Sequence, residues 1–378
     1  MKIALVGLAH PYKGGSAQHT TALAHRLAAA GHQVTLQSWR AHYPRLLYSG
    51  DLTLSDPEQK PEVELFPDTA WSLGWLRPHG WWRTGRRLAR RADVIVLAIF
   101  TPFQVPAYLA LARAAHVTGR RVVALCHNVL PHERHRIDLP LMRAMLRAAD
   151  VLVVHSAREA ALAASIASTP AEIAALPLHL PHARHARASH RPADDADDAR
   201  PYNRLLFFGM VRPYKGLDVL LRALAEVRPI VSLTVAGQIW AGKDELLRLI
   251  GHLKLADRVQ LNDGYVAAGD VPSLFASVDA LVLPYRSATA SQNALIGLQF
   301  GIPVVATRAG AIADPLVDGV NGLLCEPGNA ADLARAINRL YEPGMLPRLR
   351  RGVHPPETTR DWEEYIATME KAISGPGG

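Results

Sequence analysis

Two stretches of eight residues, GLAHPYKG at 7–14 and GMVRPYKG at 209–216, share Gly, Pro, Tyr, Lys and Gly at matching places. Each follows an apolar run, Ile3 to Val6 and Leu205 to Phe208, and each leads into a helical pattern. Backbone N–H groups at a helix start have no partner within the helix, and the helix dipole favours an anion there by ~0.3–1 kcal/mol. Glycine lets a phosphate come close to the backbone. In the second copy Arg212 adds a forked donor and Lys215 a point charge. Such a corner is suited to phosphate binding. The P-loop pattern GxxxxGK[ST] is absent, so ATP hydrolysis is not indicated, and GLAHPYKGG does not match the dinucleotide pattern GxGxxG. Turn chemistry with a solvated lysine is the alternative that the local pattern leaves open.

The elements that must position these residues alternate between strand and helix. Ile3–Leu8, Val34–Ser38, Val94–Ile99, Val122–Cys126 and Val151–Val154 read as strands. Ala17–Ala30 reads as a helix with Ser16 as its N-cap and Gly31 as its stop. Residues 183–203 have almost no apolar bulk and a run of acids, which reads as a linker. After it the alternation restarts, with strands at Leu205–Phe208, Val231–Ala236, Val259–Leu261, Ala280–Leu283 and Val304–Ala306 and helices from Leu217, Asp244 and about Ser291. Residues 358–373 read as a last amphipathic helix with Trp362, Tyr365, Ile366 and Met369 on one stripe. Strand–helix alternation predicts an α/β protein with a parallel, doubly wound sheet in each half. A chain of 378 residues also exceeds one ordinary core. The expected division is therefore a first domain over 1–182, the linker 183–203, a second domain over 204–355, and a C-terminal helix and tail over 356–378. Residues 38–92, rich in Trp, Pro and Gly and weak in periodicity, read as a long excursion from the first domain. His127 follows a buried strand, at the sheet end where α/β proteins bind ligands; a satisfied histidine at a sheet edge is the alternative.

Lys and Arg outnumber Asp and Glu by 42 to 34, a net charge of +8. That balance suits a phosphate-bearing ligand, a nucleic acid or an anionic membrane. Part of it is the run RPHGWWRTGRRLARR at 77–91, which contains no acid. On a helix, Arg83, Arg86, Arg87, Arg90 and Arg91 share a broad face, and such a face beside tryptophans suits an anionic lipid surface. A solvated helix packed by its tryptophans, or a site for a phosphate-bearing ligand, are the other readings. No apolar run approaches the ~20 residues that span a bilayer, and no signal-peptide pattern opens the chain. A cytoplasmic protein, at most peripheral at the inner membrane face, is expected. Two distant cysteines without CxxC spacing read as core residues, and the 17 His show no metal-ligand spacing, so no metal site is expected.

Five stretches in order, GMVRPYKGLDVLLRAL (209–224), LTVAGQ (233–238), ADRVQLNDGYV (256–266), VPSLFASVDALVLPYRSATAS (271–291) and GIPVVATRAGAIADPLVDGVNGLLCEPGN (301–329), carry a resemblance. Together they resemble the donor-binding half of the family-4 group of retaining, nucleotide-sugar-dependent glycosyltransferases. The resemblance is strong over 205–330 and looser over 1–36 and 122–156. It implies a GT-B fold: two Rossmann-like doubly wound domains facing a cleft, with the C-terminal helix returning to the first. It implies that Arg212 and Lys215 neutralise the donor diphosphate as it leaves, and that the backbone at Gly14 and Gly15 lies against the donor phosphates. It places His127 toward the donor sugar, with Gly209 and Gly237 in the turns beneath the nucleotide. Many relatives carry two glutamates eight residues apart before Gly-x-Pro, and here those places hold Ala288 and Ile296. Backbone amides at Ser291, Gln292 and Asn293 are then expected on the diphosphate, with Gln292 or Asn293 on a sugar hydroxyl.

The activity implied is a retaining, metal-independent glycosyltransferase of hexosyltransferase type, with a UDP- or GDP-sugar donor and a hydroxyl acceptor. The implied partners are the nucleotide sugar and an acceptor, lipid-linked if the basic face binds membrane, and no nucleic acid. A non-catalytic GT-B protein that binds a nucleotide sugar or a partner is the alternative, and the missing glutamates favour it. An epimerase or phosphorylase is a third reading, without a recognisable pyridoxal phosphate lysine.

Overall fold

The structure is a computed structural model that describes residues 1–10, 12, 14–41, 63–75, 78–179, 203–267, 269–289 and 292–375. The chain divides into one unit of Met1–Leu180 with Thr358–Gly378 and another of Pro181–Glu357. In the first unit, the described strands are β1 (Lys2–Val6), β2 (Gln33–Ala41), β3 (Thr69–Gly74), β4 (Val94–Ile99), β5 (Arg121–Cys126), β6 (Val151–Val154) and β7 (Ala171–Ile173). They form one sheet in the order β3-β2-β1-β4-β5-β6-β7, and every pairing is parallel. Helices α1 (Gly15–Ala29), α2 (Pro78–Arg91), α3 (Val105–Val117), α4 (Asp138–Arg147) and α5 (Ala157–Ile166) connect them. In the second unit, β8 (Asn203–Phe208), β9 (Val231–Ala236), β10 (Val259–Asn262), β11 (Ala280–Leu283), β12 (Val304–Thr307) and β13 (Gly322–Cys325) pair in the order β10-β9-β8-β11-β12-β13, again parallel. They alternate with α6 (Leu217–Glu226), α7 (Lys243–His252), α8 (Val271–Ala276), α9 (Gln292–Gln299), α10 (Ala330–Leu340) and α11 (Met345–Gly352).

Parallel strands covered on both faces read as unbroken apolar runs. In β4, VIVLAI, all six residues are buried. Ile95, Leu97 and Ile99 enter the core on one side of the sheet, and Val94, Val96 and Ala98 enter the core on the other. That second core is closed by α12 (Thr358–Ser374), whose Trp362, Tyr365, Met369 and Ile373 are buried with Ile3 and Leu5 of β1. Trp362 donates its indole N–H to the Leu178 carbonyl at 3.1 Å, and Lys371 pairs with Glu172 at 2.8 Å. The last helix thus belongs to the first unit.

Two expectations need correction. The first helix starts at Gly15, not after Ser16, because Gly14 takes φ +98° and turns the chain into the helix a residue earlier. Ser16 lies inside the first turn, where its carbonyl accepts from the Thr20 hydroxyl at 2.8 Å. Residues 69–91 are no excursion, since they add β3 to the sheet edge and α2 to its face. β3 pairs with β2 through register shifts and exposes Trp71 and Ser72. α2 buries Thr84, Gly85, Leu88 and Ala89, and a Cβ at Gly85 would lie 2.8 Å from that of Ala114. The β3 surface does not alternate between buried and exposed residues. The linker reading falls on residues outside those described, apart from Asn203, which opens β8.

The first unit also buries a group of histidines. His19 of α1 is 0% exposed and stacks on Trp362, with ring centroids 5.8 Å apart. It meets His127, His155 and His179 edge-on at 5.0, 6.0 and 5.1 Å. Both ring nitrogens of His19, Nε2 of His127, Nε2 of His155 and the Tyr365 hydroxyl are buried without a hydrogen-bond partner among the described residues. Burial first, and then the neighbouring imidazoles, hold His19 and His127 well below the ordinary histidine range. Burial lowers His155 to about 4 against the pull of its bond to the Ala174 carbonyl. Among the described residues no three His, Cys, Asp or Glu are grouped to hold a metal ion.

A histidine whose folded pKa is depressed stabilises the fold fully above its unfolded value of about 6.5 and progressively loses that contribution below it. His155 alone should remove about 2–3 kcal/mol between pH 7 and pH 4.5, and His19 and His127 should add to the loss. Urea unfolding across that range should therefore show stability falling from about pH 6.5 downward, before most salt-bridged carboxylates titrate. A flat profile from pH 7 to pH 4.5 would contradict burial of the neutral cluster.

Candidate functional site

In the second unit the corner after β8 is built by close backbone contact. A Cβ at Gly237 would strike the Gly209 carbonyl, and one at Gly216 (φ +70°) would strike the Pro284 carbonyl. Pro213–Lys215 form a single 3-10 turn, and Gly216 then caps α6. The tight turn directs Lys215 inward, where it is 9% exposed with Nζ 5.5 Å from the Tyr285 ring centre. The solvated lysine left open by the local pattern is therefore not what the fold builds. Burial, with a smaller contribution from the Arg212 charge, lowers the Lys215 pKa, and no carboxylate figures among its interactions. A buried cation without an acid partner is costly unless an anion joins it.

Arg212 lies on the indole of Trp240, with its guanidinium carbon 4.3 Å from the ring centre. Gly209 approaches both Lys215 and Asn293, since a Cβ there would sit 3.4 Å from Nζ and 3.3 Å from Asn293 Nδ2. Asn293, in the first turn of α9, donates from Nδ2 to the Phe208 carbonyl at 2.8 Å and to the Tyr285 hydroxyl at 3.0 Å. The structure thus brings Gly209, Lys215, Gly237 and Asn293 together, with Arg212 on the same turn. Gln292 opens α9, and Ser291 lies outside the described residues. Ile296 is 0% exposed, so the place where relatives carry a second glutamate faces the interior here. Ala288 lies in a loop whose carbonyl a Cβ at Gly310 would strike.

Sequence reasoning missed the residues that hold this corner in place. Arg286 forms a two-pronged ion pair with Asp218, at 2.8 and 2.6 Å, and donates to the Pro213 carbonyl at 2.7 Å. Its backbone N–H bonds the Tyr214 carbonyl at 2.7 Å. Burial would raise the Asp218 pKa, but the Arg286 hydrogen bond and charge outweigh it and lower the value. Tyr285 is 3% exposed, and its carbonyl accepts from the Thr307 hydroxyl at 2.6 Å. Both residues stand in the PYR of 284–286; the partners of Arg286, Asp218 and Pro213, lie 68 and 73 positions away, beyond any local pattern, whereas Tyr285 meets Asn293 and Thr307 at 8 and 22 positions.

In the first unit, Gly14 and Gly15 open α1, and a Cβ at Gly15 would lie 3.4 Å from His179 Nε2. His179 leads through His19 to His127 by the ring contacts given above, so Gly14, Gly15 and His127 share one neighbourhood. His127 follows β5 and donates its backbone N–H to the Ile99 carbonyl at 3.0 Å. Its Nε2 is buried without a hydrogen-bond partner among the described residues. Lys13 lies outside the described residues.

Residues 202–343 match the family model described as glycosyl transferases group 1, and residues 13–178 match that of glycosyltransferase family 4. An uncharacterised glycosyltransferase of Methanocaldococcus jannaschii is 29% identical over 174 residues, 45% of this chain and 47% of that protein. A D-inositol 3-phosphate glycosyltransferase of Catenulispora acidiphila is 29% identical over 259 residues, 62% of this chain and 60% of that one. The chain thus spans about half the length of these curated relatives. HepE of Anabaena, solved with UDP and glucose, superposes with a TM-score of 0.71 at 18% identity over 99% of this chain and 98% of that one. Sucrose-phosphate synthase of Thermosynechococcus elongatus does so with a TM-score of 0.68 at 18% identity over 99% and 96%. Two matched halves and a shared two-sheet architecture make this chain a family-4 type glycosyltransferase with the GT-B fold.

Proposed function

We propose that this chain transfers a hexose from a nucleotide-diphosphate donor to a hydroxyl acceptor with retention of the anomeric configuration. The observation that carries the reading is Lys215, a buried cation beside Arg212 with no acid partner among the described residues. Both would donate to the diphosphate. As the bond from the anomeric carbon to the phosphate oxygen breaks, their charge stabilises the departing diphosphate, so the step is proposed to be metal-independent. The acceptor oxygen bonds the same carbon, and its proton leaves with the diphosphate. We place the backbone of Gly14 and Gly15 on the donor phosphates and the free Nε2 of His127 toward the sugar. Gly209 and Gly237 leave room beneath the nucleotide, and backbone amides at 291–293 meet the diphosphate. Asn293 donates its Nδ2 to Phe208 and Tyr285, and Gln292 or Asn293 is proposed to meet a sugar hydroxyl. A UDP- or GDP-sugar is the proposed donor; HepE has been solved with UDP-glucose. Ala288 and Ile296 in place of the glutamates favour a second reading, a protein that binds the nucleotide sugar without turnover.

We further propose a lipid-linked acceptor at the cytoplasmic membrane face. Arg83, Arg86, Arg90 and Arg91 are exposed along α2, and Trp82 beside them is 37% exposed. Arg87 is tied to Gln37 at 2.6 Å, and Trp81 to the Gly74 carbonyl at 2.7 Å, so these two hold the helix to its sheet. No helix among the described residues is long and apolar enough to cross a membrane. Each exposed arginine near an anionic surface contributes ~1 kcal/mol.

Arg212→Ala and Lys215→Ala should each lower transfer from UDP- or GDP-sugars by about 10²–10³ while the protein stays folded. NMR of the product should show the donor's anomeric configuration. Near-normal turnover in both variants would remove the site, inversion would remove retention, and nucleotide binding without turnover in the wild type would favour the second reading. Sedimentation with vesicles containing anionic lipid should occur at low salt and be lost at high salt. Failure to sediment at low salt would point to a soluble acceptor.

A further inference from the structure

Trp240 lies outside every motif discussed so far, yet its indole carries the Arg212 guanidinium at 4.3 Å. The contact is held by backbone. Val211 donates to the Gln238 carbonyl at 2.9 Å, and Trp240 donates to the Val211 carbonyl at 3.1 Å. Val211 and Ile239 form an isolated parallel bridge, which carries the β8–β9 pairing past the end of the sheet. Ile239 in turn donates its N–H to Asp263 at 2.9 Å, and Asp263 pairs with Lys243 of α7 at 2.8 Å. The ring is therefore presented from a fixed rail running beside the very residue that precedes Arg212.

A free arginine side chain carries ~2 kcal/mol of rotamer entropy and turns its fork in many directions. Contact with an indole face restrains the guanidinium without neutralising its charge. Neighbouring Lys215 repels Arg212, so an uncharged π face also offers the arginine a partner that does not neutralise it. A carboxylate in the place of Trp240 would fix the arginine equally well but would compete with a diphosphate.

We propose that Trp240 is a positioning residue that orients Arg212 for a nucleoside diphosphate without touching the ligand itself. The inference rests on the assignment of Arg212 to the diphosphate. Its signature is non-additivity, because removing the platform matters only while there is an arginine on it.

The test is a double-mutant cycle read by calorimetry, with UDP, GDP and inorganic pyrophosphate as probes. Trp240→Leu and Trp240→Gln should each weaken binding about 10-fold, whereas Trp240→Phe, which keeps a π face, should stay within about 3-fold of wild type. The same Trp240→Leu change made on top of Arg212→Ala should alter affinity less than about 2-fold beyond Arg212→Ala alone. Pyrophosphate should follow the pattern of the nucleotide that binds, because the effect lies at the phosphates. Unchanged unfolding midpoints without ligand exclude a folding defect, and the Phe and Gln variants carry the comparison if the Leu variant does not fold. Equal affinity of the non-aromatic variants and wild type, with Arg212→Ala weakened, would overturn the role of Trp240 alone. An undiminished loss in the Arg212→Ala background would show that Trp240 acts on the ligand or the fold directly. Wild-type affinity in Arg212→Ala would remove the Arg212 assignment and the platform together.

Discussion

The second unit depends on a single constraint, the approach of three backbone segments too close for any side chain between them. Gly209 meets Gly237, and Gly216 meets Pro284, at distances a Cβ would violate. Because the loop at 284–286 is pressed on the corner at 213–216, Lys215 has nowhere to go but inward. Arg286 then fastens the arrangement by bonding Asp218 and two carbonyls of the same corner. A buried cation is thus produced by packing and not by any partner of opposite charge. Large desolvation penalties of this kind persist where something outside the fold supplies the missing charge.

The two similar eight-residue stretches end in different electrostatics. In the second unit the corner gathers Arg212, Lys215 and the amide of Asn293 around Gly209. In the first, the helix start at Gly14 and Gly15 adjoins imidazoles kept neutral by burial. One corner offers charge and the other offers amides and an uncharged ring nitrogen on His127. The neutral cluster also ties α12 to the first unit through Trp362 and Tyr365, so the state of these imidazoles is a matter of stability as well as of the site.

Strands such as Val94–Ile99 were legible because burial on both faces leaves an unbroken apolar run. The α12 stripe was legible for the same reason, as its four marked residues reach the core or its edge. β7, with only Ala171–Ile173, is too short to show any period, and the buried side of α2 carries one large apolar residue, Leu88, beside Thr84, Gly85 and Ala89. The phosphate-binding character of 209–216 could be read from residue types, but not that Lys215 would be buried. That outcome depends on Pro284, Tyr285 and Arg286, which arrive from about 70 positions away. The histidine cluster draws on positions 19, 127, 155 and 179, whose meeting only the sheet order reveals. Ile296 shows the limit of comparison by motif, for the position is filled by core and not by an altered binding group.

The central claim is that Lys215 is buried for the sake of an anionic ligand, and replacing it by methionine separates that role from packing. Lys215→Met keeps most of the side chain's bulk and removes its charge. Without nucleotide, the variant should unfold at the same or a higher denaturant concentration than wild type, because an uncompensated buried charge has gone. Calorimetric binding of whichever of UDP and GDP the wild type takes should fall by about 10- to 100-fold, the worth of a charged hydrogen bond. Reduced stability together with unchanged nucleotide affinity would contradict the account and make Lys215 a structural residue.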